Sequence, residues 1–283
     1  MKLNYKIKVF SIQEIGQREN QEDSLFPAHG QVKEEEDRIY ILCDGMGGHD
    51  SGEIASQTVC QAMSEVLKPM ISAGERVSDS LITKAVSQAL DSLDEVDNGA
   101  PKKMGTTMTL LVLHRDGYTI AHIGDSRVYH FRPGATEAET SIIHKTEDHS
   151  LVNYLISTGR LTTEEAKHSK QRNVIIRAMQ PNSDPRPIPD IYHSDDIQLD
   201  DYFYLCSDGM LEHMNDDNLR FIMSKKVSSD EEKAYILTRS TSQNKDNHAA
   251  FLIHIIDVVD EEAPNVLPFF SKEHKEKKHK NKP

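Results

Sequence analysis

Two apolar runs in this chain stop abruptly at an Asp-Gly pair. Ile39-Tyr40-Ile41-Leu42-Cys43 runs into Asp44-Gly45-Met46-Gly47-Gly48, and Tyr202-Phe203-Tyr204-Leu205-Cys206 runs through Ser207 into Asp208-Gly209. A carboxylate at the end of a buried strand is held rigidly, while glycine beside it leaves the backbone open. That suits a hard metal ion, which takes oxygen ligands and keeps some of its waters. Two such ends from distant parts of one chain point to a metal site built across a sheet.

With 283 residues, 37% of them hydrophobic and 28% charged, the chain can bury a full core as one large domain or two small ones. No apolar stretch approaches the roughly 20 residues of a membrane span. The segment Met1–Phe10 alternates polar and apolar residues like a first strand, without the apolar core of a signal peptide. These features predict a cytoplasmic protein. Cys43, Cys60 and Cys206 are too far apart for structural zinc or a disulfide framework and are read as buried hydrophobes. The 33 basic and 46 acidic residues give a net charge of −13, which argues against nucleic-acid binding. An anionic substrate would need local positive charge, from metal or selected arginines, against that field.

Strands are predicted over 5–12, 39–43, 106–113, 118–123, 127–131, 202–206 and 250–258, with a hairpin turn at Asp116-Gly117 and a polar connection or bulged strand at 16–23. Helices are predicted over 51–70 and 78–96, the second with Leu81, Ile82, Ala85, Val86, Ala89, Leu90 and Leu93 on one face, and near 216–225 and 230–241. Strands joined by tight turns, with helix pairs in blocks between them, give an α+β layered architecture with antiparallel sheets. Neither GxGxxG nor GxxxxGK[ST] occurs, so a kinase or NTPase loses its main support. None of the three cysteines has an Arg six positions later, as a thiolate phosphatase loop would require.

The joint motif pattern is more specific than any single aspartate. In order it reads Gly16-x-Arg18-x-x-x-Glu22-Asp23, Asp44-Gly-Met-Gly-Gly-His49, Gly105-Thr-Thr, Gly124-Asp-Ser-Arg127, Ser207-Asp-Gly209 and Asp246-Asn247. This succession resembles the metal-dependent protein phosphatases of type 2C (PPM), especially their bacterial serine/threonine branch, over about residues 5–258. The resemblance implies a four-layer αββα sandwich of two antiparallel β-sheets flanked by helices, with a catalytic domain over 1–260; beyond it, the composition of 261–283 reads as a disordered charged tail. It implies that Asp44 bridges two Mg²⁺ or Mn²⁺ ions. The Gly45 carbonyl, Asp208 and Asp246 would complete the ligand set, with Glu22 and Asp23 close by. Asp125 would hold a weaker third ion, and Arg18 would grip the phosphoryl oxygens, a task its planar fork suits. Two ions about 4 Å apart lower the pKa of a bridging water, and the resulting hydroxide would attack phosphoserine or phosphothreonine with no covalent intermediate. Phosphorylated proteins are the implied partners, with a serine/threonine kinase and its substrates among them, and a monomer is the expected state.

Met46 stands where many eukaryotic relatives carry a His thought to protonate the leaving oxygen, which leaves the general acid unassigned. His49 is a candidate, with a metal-bound water the alternative. Residues 148–180, including Asp148-His149-Ser150, resemble the bacterial flap beside the active site. Gln180 replaces the Gly usual there. The tail, rich in Lys, is read as a solvated end or as a weak contact for an anionic partner. The rival functional reading is a non-catalytic phosphoprotein-binding pseudophosphatase, which would normally lack metal carboxylates that this chain retains.

Overall fold

The computed structural model describes residues 3–47, 51–97, 99, 103–167, 169–171 and 173–260. The alternation of side chains along its apolar strands builds three packed layers. In strand β3 (Ile39–Met46), Tyr40 and Leu42 turn to one face while Ile39, Ile41 and Cys43 turn to the other. In β10 (Tyr202–Cys206), Phe203 and Leu205 oppose Tyr202, Tyr204 and Cys206 in the same way. A strand buried on both faces reads as a continuous apolar run, because neither face can be polar.

Two antiparallel sheets result. One has the order β1-β11-β10-β7-β8, from β1 (Leu3–Glu14), β7 (Arg127–Arg132), β8 (Ser141–Lys145), β10 and β11 (His248–Asp260). The other has the order β2-β3-β5-β6-β9, from β2 (Asp23–Phe26), β3, β5 (Met108–His114), β6 (Gly117–Ile123) and β9 (Asp190–Ser194), with β4 (Gly105–Thr106) paired beside β3. Their facing surfaces enclose Tyr40, Leu42, Leu111, Phe203 and Phe251. Helices α1 (Ser51–Ser72) and α2 (Asp79–Val96) cover the outer face of the second sheet, where Ile41 and Cys43 meet Met63 and Leu90. Helices α5 (Asp216–Met223) and α6 (Asp230–Thr241) cover the outer face of the first, where Tyr204 meets Leu219 and Leu237. This is the αββα sandwich that the resemblance implied.

The predicted α2 face is the buried one, all seven residues included. Its start is set by Ser78, whose side chain accepts the Leu81 amide proton. Helix α6 is capped likewise by Ser229, and α5 by a reciprocal Asn215–Asn218 box. Three strands were not anticipated. β8 and β9 are sheet edges of five residues, with mostly half-buried side chains and little apolar periodicity. β2 has only four residues and follows directly on the polar connection, which therefore ends at Glu22. The strand expected over 106–113 is interrupted at Thr107, whose hydroxyl accepts the Asp44 amide proton in place of a regular ladder bond. The segment 148–180 carries two short helices, α3 (Leu151–Ser157) and α4 (Thr163–Lys167).

Candidate active site

Antiparallel register delivers the strand-end residues to one end of the sandwich. Glu14 at the end of β1 faces His248 at the start of β11, and Cys206 at the end of β10 faces Ala250. Asp23 at the start of β2 faces Asp44, and Met108 at the start of β5 faces Ile123. The connections just beyond these ends carry Arg18, Asp125, Asp208 and Asp246. Together with Asp44, Glu22, Gly45 and Met46 they line a cavity of about 470 Å³. It adjoins a groove of about 700 Å³ that shares Asp125, Asp208 and Asp246 and runs along Val152, Ile156 and Ala166 of the 148–180 segment.

The Asp44, Gly45 and Glu22 positions are fixed through their backbones. The Asp44 amide donates to Thr107 Oγ1 at 3.0 Å, and its carbonyl accepts from the Thr107 amide at 2.8 Å and from Thr106 Oγ1 at 2.9 Å. Thr107 Oγ1 also meets Ser126 Oγ at 2.7 Å, which links this strand end to the Asp125 turn. Gly45 is sterically required: an added Cβ would stand 2.2 Å from the Gly52 carbonyl oxygen and 2.6 Å from that of Glu22. Asn247 is buried and joins two loops, its Oδ1 accepting the Glu22 amide proton while Nδ2 donates to the Ile15 and Asn20 carbonyls, all at 2.9 Å. Arg18 is exposed and donates to Asp246 Oδ2 at 2.6 Å.

Asp23 lies behind the cavity wall. It is 3% exposed, accepts a hydrogen bond from Ser207 Oγ at 2.8 Å on Oδ2, and has no hydrogen-bond partner on Oδ1. Asp125 is also buried, with Oδ1 unpartnered. Burial, partly offset by the Ser207 hydroxyl and reinforced by Asp208 and Asp246, pushes the Asp23 carboxyl up to about 8. Burial, with Asp208 and Asp148 next, raises Asp125 to about 7. Asp44 is raised by burial and then by Asp23, Asp208, Asp125 and Asp246, and Asp208 by burial and then by Asp246. Each carboxylate makes its neighbours harder to ionise, which is the signature of like charges sharing one site. Oxygen-only donors, mutual repulsion and two orphaned buried oxygens fit hard divalent cations.

A family model described as protein phosphatase 2C matches residues 14–235. The chain belongs to this family. A Streptococcus pyogenes serotype M6 relative named as protein phosphatase 2C-type is 32% identical over 218 residues, covering 76% of this chain and 85% of its own. The crystal structure of serine/threonine phosphatase Stp1 from Staphylococcus aureus superposes with a TM-score of 0.72 at 26% identity, covering 91% of this chain and 98% of that one. The catalytic domain of serine/threonine protein phosphatase PstP, solved in complex with two manganese ions, superposes with a TM-score of 0.68 at 27% identity, covering 89% and 99%. This protein phosphatase 2C is a protein serine/threonine phosphatase, and its substrates are phosphorylated proteins.

Within the phosphatase, Lys103, Asn173 and Gln180 also line the cavity, and sequence reading singled out none of them as site residues. Lys103 sits in a polar loop with no periodicity to mark it. The Gln180 side chain packs on Gly105, where an added Cβ would lie 2.9 Å from Gln180 Cγ, so position 105 has no room for a side chain. Asn247 was visible only as the neighbour of Asp246, since nothing in a loop sequence announces three buried side-chain hydrogen bonds. His49, weighed as a proton donor, lies outside the described residues, as do Gly48, Arg172 and the 261–283 tail.

Proposed function

We propose that this site hydrolyses phosphoserine and phosphothreonine in proteins by direct attack of water on phosphorus. The observation that carries this reading is the convergence of Asp44, Asp125, Asp208 and Asp246 with Arg18 on one 470 Å³ cavity. Asp44, the Gly45 carbonyl, Asp208 and Asp246 would hold two Mn²⁺ or Mg²⁺ ions, with Glu22 at the wall and Asp23 behind it. Asp125 would hold a weaker third ion. When bound, such ions supply an acidified water and charge that offsets the phosphoryl oxygens.

The chain's own residues do the rest. Arg18, exposed at the rim and paired with Asp246, would bind two phosphoryl oxygens through its planar fork. Thr106 and Thr107 hold the Asp44 backbone so that its carboxylate points into the cavity without reorganising during reaction. Burial of the thiols of Cys43 and Cys206, which raises both pKa values, argues against a thiolate nucleophile. Retention of all the expected carboxylates disfavours the pseudophosphatase. The 148–180 segment, which walls the adjoining groove, would contact the protein around the phosphoresidue.

A serine/threonine kinase and its targets are the proposed physiological substrates, with the protein acting as a cytoplasmic monomer. No helix among the described residues is long and apolar enough to cross a membrane, and three buried free cysteines suit a reducing compartment. The deciding experiment is Mn²⁺-dependent phosphate release from a phosphothreonine peptide. Wild type should turn over and Asp208→Asn should fall at least a hundredfold; an inert wild type would sink the enzymatic reading.

A further inference from the structure

A second group of titratable side chains lies outside the carboxylate cavity. Ligand atoms of His122, His149 and Asp190 fall within 4.8 Å of one another, a spacing that could suit a metal ion. Their hydrogen bonds point elsewhere. The Gly124 amide donates to His149 Nδ1 at 3.0 Å, so the one ring proton of a neutral imidazole sits on Nε2, which faces Asp190 Oδ2 at 3.1 Å with Arg177 Nη1 also 2.9 Å away. An imidazole that accepts at Nδ1 and carries its proton on Nε2 has no lone pair left for a cation. The Arg177 guanidinium, donating to Asp190 Oδ1 at 2.5 Å, places positive charge on the same carboxylate. Burial, with the neighbouring His122 next, lowers His149 to about 4 and keeps it neutral, and the His122 ring stacks on it at 4.4 Å.

What this arrangement does is hold a turn. The His149 amide donates to the Gly124 carbonyl at 2.9 Å, so Gly124 is gripped from both its N–H and its C=O by one residue. Gly124 has φ +110 and immediately precedes Asp125, whose buried carboxylate keeps one oxygen unpartnered. The His149 carbonyl in turn accepts from the Ile176 amide at 2.9 Å, and Leu151 donates to the Val174 carbonyl at 2.8 Å. One residue thus joins the Asp125 turn, both limbs of the 148–180 segment and the β9 edge.

We infer that His149 is a positioning residue that sets Asp125 in the metal centre by clamping Gly124, and so couples the weak metal position to the 148–180 segment. This rests on the proposed reading of Asp125 as a metal ligand. A protein docking on that segment would then be felt at the metal position through hydrogen bonds already in place.

The test is direct Mn²⁺ binding to the full chain by calorimetry, with thermal stability recorded alongside. Asp125→Asn defines the weak site by abolishing it. Asn can place Oδ1 where His149 Nδ1 stands, whereas Gln reaches toward the Nε2 position. His149→Asn should therefore keep the weak site within about threefold of wild type, and His149→Gln should weaken it about tenfold or more, with the tight sites unchanged in both. Asp190→Ala alters a half-exposed carboxylate, leaves His149 in place and should weaken the same site by a smaller factor. If both His149 variants titrate like wild type or weaken equally, or if Asp190→Ala changes nothing, the inference falls while the phosphatase reading stands. If Asp125→Asn retains every site, the assignment of Asp125 falls and takes this inference with it.

Discussion

Asn247→Ala removes a side chain that ties together two loops of the cavity wall, and it should damage both stability and catalysis. The amide makes three hydrogen bonds of 2.9 Å, to the Glu22 N–H and to the Ile15 and Asn20 carbonyls, and the residue is 4% exposed. Each intramolecular hydrogen bond contributes about 0.5–1.5 kcal/mol net, so three amount to roughly 1.5–4.5 kcal/mol. Ile15 and Asn20 are exposed residues whose carbonyls can recover water, which places the loss near the lower half, about 2 kcal/mol. The same bonds bind the 15–22 connection, with Arg18 and Glu22, against the loop carrying Asp246. Freed of them, Arg18 loses its fixed approach and kcat/KM for a phosphothreonine peptide should drop about tenfold, equivalent to roughly 1.4 kcal/mol of transition-state stabilisation. Asn247→Asp is a sharper probe. It keeps the shape but turns a donor into an acceptor facing two carbonyls, beside an already acidic site, and should cost more than Ala. Urea unfolding with an unchanged m-value and initial rates at saturating Mn²⁺ provide the measurements. A stability loss under 0.5 kcal/mol, or an Asp variant more stable than the Ala variant, would refute the reasoning.

Two further outcomes follow from the same geometry. Gly45→Ala forces a methyl within 2.2 Å of the Gly52 carbonyl oxygen, so the backbone must shift; overpacking costs about 1–3 kcal/mol, and activity should fall below a hundredth while far-UV circular dichroism stays native. Burial, with His122 and His130 next, lowers His144 to about 4, against an unfolded value of about 6.5. The unfolded chain therefore binds more protons between those values. Stability from the neutral ring is complete above about pH 6.5 and is lost as pH falls toward 4. His144→Phe, which can keep the 3.8 Å stack on Tyr192, should flatten the fall in melting temperature between pH 6.5 and 4.5; an unchanged slope would exclude His144 as a source.

Much of the scaffold was legible because its elements carry strong local signals. The α2 stripe repeats at helical spacing, Ser78 and Ser229 announce their helices, and the apolar runs of β3 and β10 are long enough to stand out from any loop. β2, β8 and β9 carried no such signal. They are four or five residues long, and β8 and β9 extend through pairing with strands already formed; a short edge strand is defined by its partner more than by its own residues. The site divides along the same line. Asp44 and Asp208 were visible from their place at strand ends, and Asp125 and Asp246 from the ordered succession of motifs. The work of Asn247 and His149 was not, because each holds residues far away along the chain, and Lys103 lies in a loop with no pattern to mark it.

The sequence by itself determined which residues form the long buried strands, where the four long helices begin, and that strand-end carboxylates supply oxygen ligands for hard cations. Covalent neighbours settle those matters, through side-chain alternation, capping and turn chemistry. Only the tertiary structure decided that Asp23 stands behind the wall while Glu22 reaches it, that Gly45 has no room for a methyl, and that His149 grips Gly124 from both sides. Those depend on antiparallel register between strands distant in sequence. A one-residue slip of β2 against β3 would break the pairing of Asp23 with Asp44 and turn the β2 side chains to the opposite face.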